Sequence, residues 1–146
     1  MTRRTPATVV PLMQTDQIAR PQSTRGKWMT WGEARREGLR IPKHIKRAIG
    51  PRRRGVVYRS GYWGEIATVH QVFLEVGDMT HRGRTVKAAV WYQIVEQDNH
   101  DVTQVGGRIR RHCTSWSADG IGRRDEALFT IEVISTESEG NGGSNA

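Results

Sequence analysis

The feature that most constrains the fold is the second half of the chain, where strand-like runs follow one another with no helix between them. These runs are rich in β-branched and aromatic residues and are separated by glycine-containing or polar loops. The pattern predicts strands at about residues 56–58, 66–74, 85–95, 107–116 and 127–134. Because no crossover helix joins them, the strands are expected to pair antiparallel.

Polar loops are predicted between these strands, including one at residues 77–83. The first hairpin has the form Val57-x-x-x-Gly61-x-x-Gly64-x-Ile66, in which the glycines allow tight turns. This spacing pattern resembles the opening hairpin of KOW-type and related SH3-like barrels. That resemblance implies contacts with nucleic acid or protein tails. The fold predicted for residues 54–134 is therefore mainly β, a small five-stranded antiparallel SH3-like barrel.

One or two short α-helices are expected to precede the barrel, within a basic segment at residues 27–53. Thr30 and Glu33 have the spacing of a capping box, and Gly38 is placed to end the first helix. The second helix is predicted from Pro42, a natural first position, to the stop at Gly50 and Pro51. Its apolar residues recur at helical spacing, which predicts a basic amphipathic helix.

Both ends of the chain are predicted to be disordered. Residues 1–26 form a basic arm with few apolar residues, and residues 135–146 form an acidic, Gly- and Ser-rich tail. No apolar run approaches the roughly 20 residues of a membrane span, and the N-terminus does not have the pattern of a signal peptide. Cys113 is the single cysteine, which agrees with a reducing, cytoplasmic location.

The positive charge is concentrated in one segment. The whole chain carries a net charge of +8; residues 35–59 by themselves carry +9, whereas residues 125–146 carry −5. Such a cationic segment attracts polyanions, and arginine, with its planar fork of donors, suits phosphate oxygens. This predicts nucleic-acid binding in which phosphate contacts supply most of the affinity.

The predicted binding residues combine that cationic segment with two aromatic residues of the first hairpin. The set is Arg35, Arg36, Arg40, Lys43, Lys46, Arg47, Arg52, Arg53, Arg54, Arg59, Tyr62 and Trp63. Exposed aromatic residues beside arginines can stack on unpaired bases, or can form a cage for a methylated cation. Alternatively, most of the aromatic residues fill the core of a domain that has few large aliphatic side chains.

No catalytic, metal or cofactor site is predicted. His112 and Cys113 are adjacent, so on a strand they point to opposite faces and do not form a pair. The single cysteine and the scattered histidines lack the spacing of a zinc site, and no phosphate-binding glycine loop is present. The chain is therefore not expected to be an enzyme.

A second resemblance concerns the source of the chain. The run from Tyr58 to Gly64 and the run from His112 to Trp116 are similar to small basic proteins of actinobacteria and of their phages and plasmids. That resemblance implies an accessory protein of a mobile element, and it favours DNA over RNA as the partner.

Three alternatives stay open from the sequence. The two helices could form a helix-turn-helix. The chain could also be a protein-interaction module that docks on a host protein, or a structural component of a larger particle. The sequence leaves the oligomeric state open.

Overall fold

In the computed structural model, the described residues are 12–22, 26–61, 64–99, 105–113 and 125–131. Two short helices and six strands follow a 3-10 turn at Thr15–Gln17. The elements are β1 (Trp28–Thr30), α1 (Trp31–Glu37), α2 (Lys43–Ile49), β2 (Val56–Arg59), β3 (Ile66–His81), β4 (Arg84–Asn99), β5 (Val105–His112) and β6 (Glu126–Thr130). This confirms a mainly β chain with two short helices.

The strands form one antiparallel sheet in the order β5-β4-β3-β2-β6, and β1 pairs with β3 beside β2. Among the strands that the structure describes, no pairing joins β5 to β6, so this sheet is open. The five strands predicted from the sequence are present, and β1 is an additional one. The closed SH3-like barrel is not what the described strands form.

The centre of the sheet is a long hairpin of β3 and β4, each of 16 residues. The prediction of a polar loop at residues 77–83 is wrong, because β3 continues through this segment to His81. The chain reverses within the two residues Arg82 and Gly83, which both have positive φ. Polar residues here lie on exposed strand positions, so their polarity does not mark a loop.

The helix boundaries follow the predicted signals. Thr30 Oγ1 accepts a hydrogen bond from the Glu33 backbone N–H, Glu33 reaches back to the Thr30 N–H, and Gly38 ends α1 with φ of 71°. Pro42 is the N-cap of α2 and has an extended backbone, so the helix itself begins at Lys43. Gly50 ends it, as predicted.

The two faces of the sheet are covered differently. The helices pack on one face, where Ile45 and Ile49 of α2 form one buried cluster with strand residues such as Tyr92 of β4. On the other face Ile18 packs with Phe73 and Val95, so part of the arm predicted to be disordered lies against the sheet. The apolar residues of that arm are few, but they can be buried against the side of β3 and β4 that the helices leave uncovered.

Candidate nucleic-acid interface

Helix α2 presents a cationic face to solvent. Lys43, Lys46 and Arg47 are exposed, whereas Ile45 and Ile49 on the opposite side are 2% and 0% exposed. The three cations stand at positions i, i+3 and i+4, which lie together on one side of a helix. The basic amphipathic helix predicted from the sequence is therefore confirmed.

A shallow groove of about 450 Å³ lies along this cationic face. Its lining is Lys43, Lys46, Arg47, Gly50, Pro51 and Asp125. Three of the lining side chains are cations and one is a carboxylate, so the groove has a net positive charge. Gly50 and Pro51 have no long side chains, which leaves room for a ligand beside the three cations.

Four further predicted residues are also exposed. Arg35 and Arg36 lie on the outer side of α1, and Arg59 ends β2. Arg40 lies in the connection between the helices, where its carbonyl accepts a hydrogen bond of 2.9 Å from the Ala89 backbone N–H. This bond fixes the connection against β4, and it holds the Arg40 side chain at the surface beside α2.

Arg52 has a different environment, because its side chain is 3% exposed. Its Nε donates to the Ile49 carbonyl at 3.2 Å, and its Nη2 donates to the Ala48 carbonyl at 3.4 Å. These are among the last carbonyls of α2, which have no partner within the helix. Arg52 Nε also lies 3.4 Å from Asp125 Oδ2. Arg52 therefore holds the end of α2 in place and has no surface to offer a phosphate.

Arg53 and Arg54 are partly buried and also bond to the protein itself. The Arg53 guanidinium stacks 3.8 Å from the centre of the Trp31 ring, and its Nη1 donates to the Gly50 carbonyl at 2.8 Å. Burial, and to a lesser degree the charge of Arg35, lower the pKa of Arg53. Arg54 Nη1 donates to the carbonyl of His70 at 2.7 Å. Both arginines tie the segment between α2 and β2 to the sheet and to α1.

The aromatic residues divide between core and surface. Tyr58 and Tyr92 are buried, while Trp91 is 48% exposed. The predicted stacking residues Tyr62 and Trp63 lie outside the described residues, so their role stays a prediction. Two of the aromatic residues therefore belong to the core and one to the surface, and the alternative that most of them fill the core stays a prediction, because Trp116 also lies outside the described residues.

Beneath the cationic segment lies a buried polar network centred on Glu96, which the sequence analysis missed. Tyr58 Oη donates to Glu96 Oε1 at 2.5 Å, and Arg110 donates to Glu96 Oε2 from Nε at 2.9 Å and from Nη2 at 2.7 Å. His112 Nε2 lies 3.2 Å from Glu96 Oε1. The network joins β2, β4 and β5 on the helix-covered face of the sheet.

The electrostatics of this network keep Glu96 ionised. Burial by itself raises the pKa of Glu96, but hydrogen bonds from His112, Tyr58 and Arg110 lower it to about 2. Burial and the neighbouring Glu96 carboxylate raise the pKa of Tyr58, which therefore stays a neutral donor. A sequence signal for the network did exist, because Glu96 is in phase with the buried residues Tyr92 and Ile94 on β4.

The network has the residue types of an acid–base site but not the accessibility of one. Glu96 is fully buried, and both of its oxygens are occupied by partners within the protein. A general base must reach the proton that it removes from a substrate. We therefore read the network as structural.

Within the described residues, no three His, Cys, Asp or Glu side chains are grouped to hold a metal ion. No helix in that part of the chain has the length and apolar character needed to cross a membrane. Cys113 is an exposed free thiol.

Comparison with protein-family models, with curated proteins and with solved structures returned no match. The two resemblances noted from the sequence therefore stay predictions.

Proposed function

We propose that the protein binds nucleic acid, with DNA as the main ligand, through the exposed cationic face of α2. The observation that carries the proposal is the groove lined by Lys43, Lys46 and Arg47. A rigid helix that presents three cations to one groove fits the phosphate backbone, which dominates protein–DNA affinity. DNA is preferred to RNA because of the resemblance to phage and plasmid proteins.

The remaining exposed cations extend this surface on both sides of α2. Arg35 and Arg36 lie on α1, Arg40 lies between the helices, and Arg59 lies at the end of β2. These residues enlarge the positive field and bring in further phosphates. Arg52, Arg53 and Arg54 act indirectly, because they fix α2 to the sheet in the orientation that presents its cations.

The experiment compares DNA binding of the wild type and of the α2 variant Lys43→Gln/Lys46→Gln/Arg47→Gln over a salt series. The slope of log K against log salt is negative, and each lost phosphate contact reduces its magnitude by about 0.9 for duplex DNA. We therefore expect the three substitutions to reduce the magnitude of the slope by about 2.7. Glutamine keeps the helix propensity and a flexible polar side chain, so the fold is expected to survive.

The matched control removes three exposed cations away from α2, as Lys27→Gln/Arg108→Gln/Arg111→Gln. It has the same net charge as the α2 variant, so it isolates position from total charge. Equal losses in the two variants would show that the binding is a diffuse charge effect and would overturn the α2 assignment. A wild type that does not bind DNA at near-physiological salt would overturn the proposal itself.

One observation favours the competing function, a module that docks on another protein. Trp91 is 48% exposed on β4, next to Val90 at 37%, and exposed tryptophan is enriched at protein interfaces. A Trp91→Ala variant that keeps full DNA binding but loses a host-protein partner in a pull-down would support docking. A variant that loses neither would give Trp91 no role in binding.

A further inference from the structure

The hairpin of β3 and β4 extends beyond the strands beside it. β1 pairs with β3 as far as Glu75, and β5 pairs with β4 as far as Ile94. Beyond these points, Gly77 to His81 of β3 pair with Ala88 to Arg84 of β4. Within the described residues, the one further pairing of these strand residues is a bridge between Ala88 and Arg40 at the base. We name residues 77–88 the hairpin arm.

The arm has the dimensions of a DNA-reading ribbon. Five paired residues in each strand, at about 3.4 Å per residue, give a length of roughly 17 Å. The major groove of duplex DNA is about 12 Å wide and about 8.5 Å deep, and it admits a two-stranded β-ribbon. The arm therefore reaches the floor of the groove while its base stays outside.

The charge of the arm is complementary to DNA. Arg82, Arg84 and Lys87 are exposed cations, and Asp78 is the single carboxylate in residues 77–88. Asp78 Oδ1 lies 2.9 Å from Lys87 Nζ, near the base of the arm. The two arginines flank Gly83 at the turn, so the excess positive charge is at the tip.

Arg82 is an unfavourable residue for the backbone geometry of this turn. Arg82 has φ of 52° and Gly83 has φ of 76°, the two left-handed positions that a tight two-residue hairpin needs. Asn or Gly fills the first of these positions best, whereas a long side chain is strained there. A local conflict of this kind is expected at functional or strained sites, and at this exposed tip the Arg82 side chain is accessible to a ligand.

The arm is also continuous with the proposed α2 surface. Arg40 pairs with Ala88, which follows Lys87 in β4, and α2 begins at Lys43 soon after Arg40. Arg40 is therefore an exposed cation between α2 and the base of the arm. At that base, Glu37, Glu75 and Asp78 lie around Lys27 and Lys87, so the excess positive charge is at the tip of the arm and on α2.

From these observations we propose that the hairpin arm enters the major groove of duplex DNA, with Arg82 and Arg84 bound to the phosphates or base edges there. Helix α2 then contacts the neighbouring backbone. This inference rests on the proposed function and deepens it, because it assigns double-stranded DNA as the ligand. A single strand has no groove, so the arm contributes little to binding it.

The test uses the full chain and the arm variant Arg82→Asn/Arg84→Thr. Asparagine suits the left-handed turn position and threonine suits a strand, so both changes keep or improve the local fold. The matched control is Arg108→Thr/Arg111→Thr, which removes two exposed arginines from β5 and leaves the same net charge. Binding of a labelled duplex and of its single strand is measured over a salt series, with thermal unfolding as the fold control.

We expect the arm variant to lose about tenfold in duplex affinity and about 1.8 in the salt slope, corresponding to two lost phosphate contacts. Its affinity for the single strand should match that of the control, and its Tm should be no lower. Equal duplex binding by the arm variant and the control would overturn the arm proposal.

The two proposals fail in different ways. If the α2 variant loses duplex binding but the arm variant does not, only the arm proposal is overturned. If the wild type binds neither DNA form, the proposed function is overturned and the arm proposal with it. If both DNA forms lose affinity equally in the arm variant, the arm is a general phosphate contact and not a groove reader.

Discussion

Two cationic groups close together in the sequence have opposite environments in the structure. Lys43, Lys46 and Arg47 are exposed along α2, whereas the triplet at residues 52–54 is buried or bonded to the protein. The α2 cations lie on the outer side of a helix whose inner side is apolar. The triplet follows the end of that helix, where unpaired carbonyls need donors.

The comparison shows that charge density alone does not define a binding surface. All six residues belong to the same cationic segment, and by net charge they are equivalent. Their position relative to the end of α2 decides which of them bind outward and which stabilise the fold. Substitution of the triplet therefore tests the fold, while substitution on α2 tests binding.

The largest effect on stability is expected from Arg52→Ala. It leaves the carbonyls of Ala48 and Ile49 and the carboxylate of Asp125 without this donor, in a buried place. We expect the free energy of unfolding to fall by about 3 kcal/mol, measured by urea denaturation. A loss below about 0.5 kcal/mol, as expected for the exposed control Arg47→Ala, would contradict the structural role.

The second test concerns β5, where two exposed arginines differ in their partners: Arg110 bonds to the buried Glu96 carboxylate, and Arg111 bonds to Gln93. Glu96 has its pKa lowered to about 2 from an ordinary 4.5, so its ionised form stabilises the fold fully above about pH 4.5. This stabilisation is lost as pH falls toward 2.

We expect the wild type to lose about 3 kcal/mol of unfolding free energy between neutral pH and about pH 2 through this group. Glu96→Gln should be less stable at neutral pH and should show a shallower dependence on pH. Parallel pH profiles for the two proteins would contradict the assignment. Arg111→Gln, as the control, should follow the wild type.

A smaller effect is expected from Arg53→Ala, which removes the stack on Trp31 and the bond to the Gly50 carbonyl. Arg53 is only partly buried, so we expect a loss of about 1 kcal/mol, and Arg53→Lys should recover part of it. Urea denaturation of the two variants measures both values. A larger loss for Lys than for Ala would show that the site does not need a cation.

The smallest effect on stability is expected from the α2 variant Lys43→Gln/Lys46→Gln/Arg47→Gln. These side chains are exposed, so the free energy of unfolding should change by less than about 0.5 kcal/mol. The same variant should lose most of the DNA affinity. If the variant were unfolded at room temperature, the α2 cations would be needed for the fold, as the triplet at residues 52–54 is, and the two groups would not differ in role.

Local sequence signals predicted the helices and the antiparallel strands well. The two ends of α1 are set by contacts within a few residues, at Thr30 and Glu33 for its start and at Gly38 for its end. Such contacts can be read from spacing. The length of the hairpin could not be read, because exposed strand residues and loop residues have the same polar composition. The bulges at His70 and Val90 also shift the alternation along β3 and β4.

The strand-rich composition, the helix caps and the concentration of charge can be read from the amino-acid sequence, because each depends on neighbouring residues. Which cations are exposed, the position of Glu96 opposite Arg110 and the length of the hairpin arm are set by the packing of the folded chain. These outcomes depend on strand register and on where the end of α2 meets the sheet. They bring together residues far apart in the chain, and no local pattern encodes their distance.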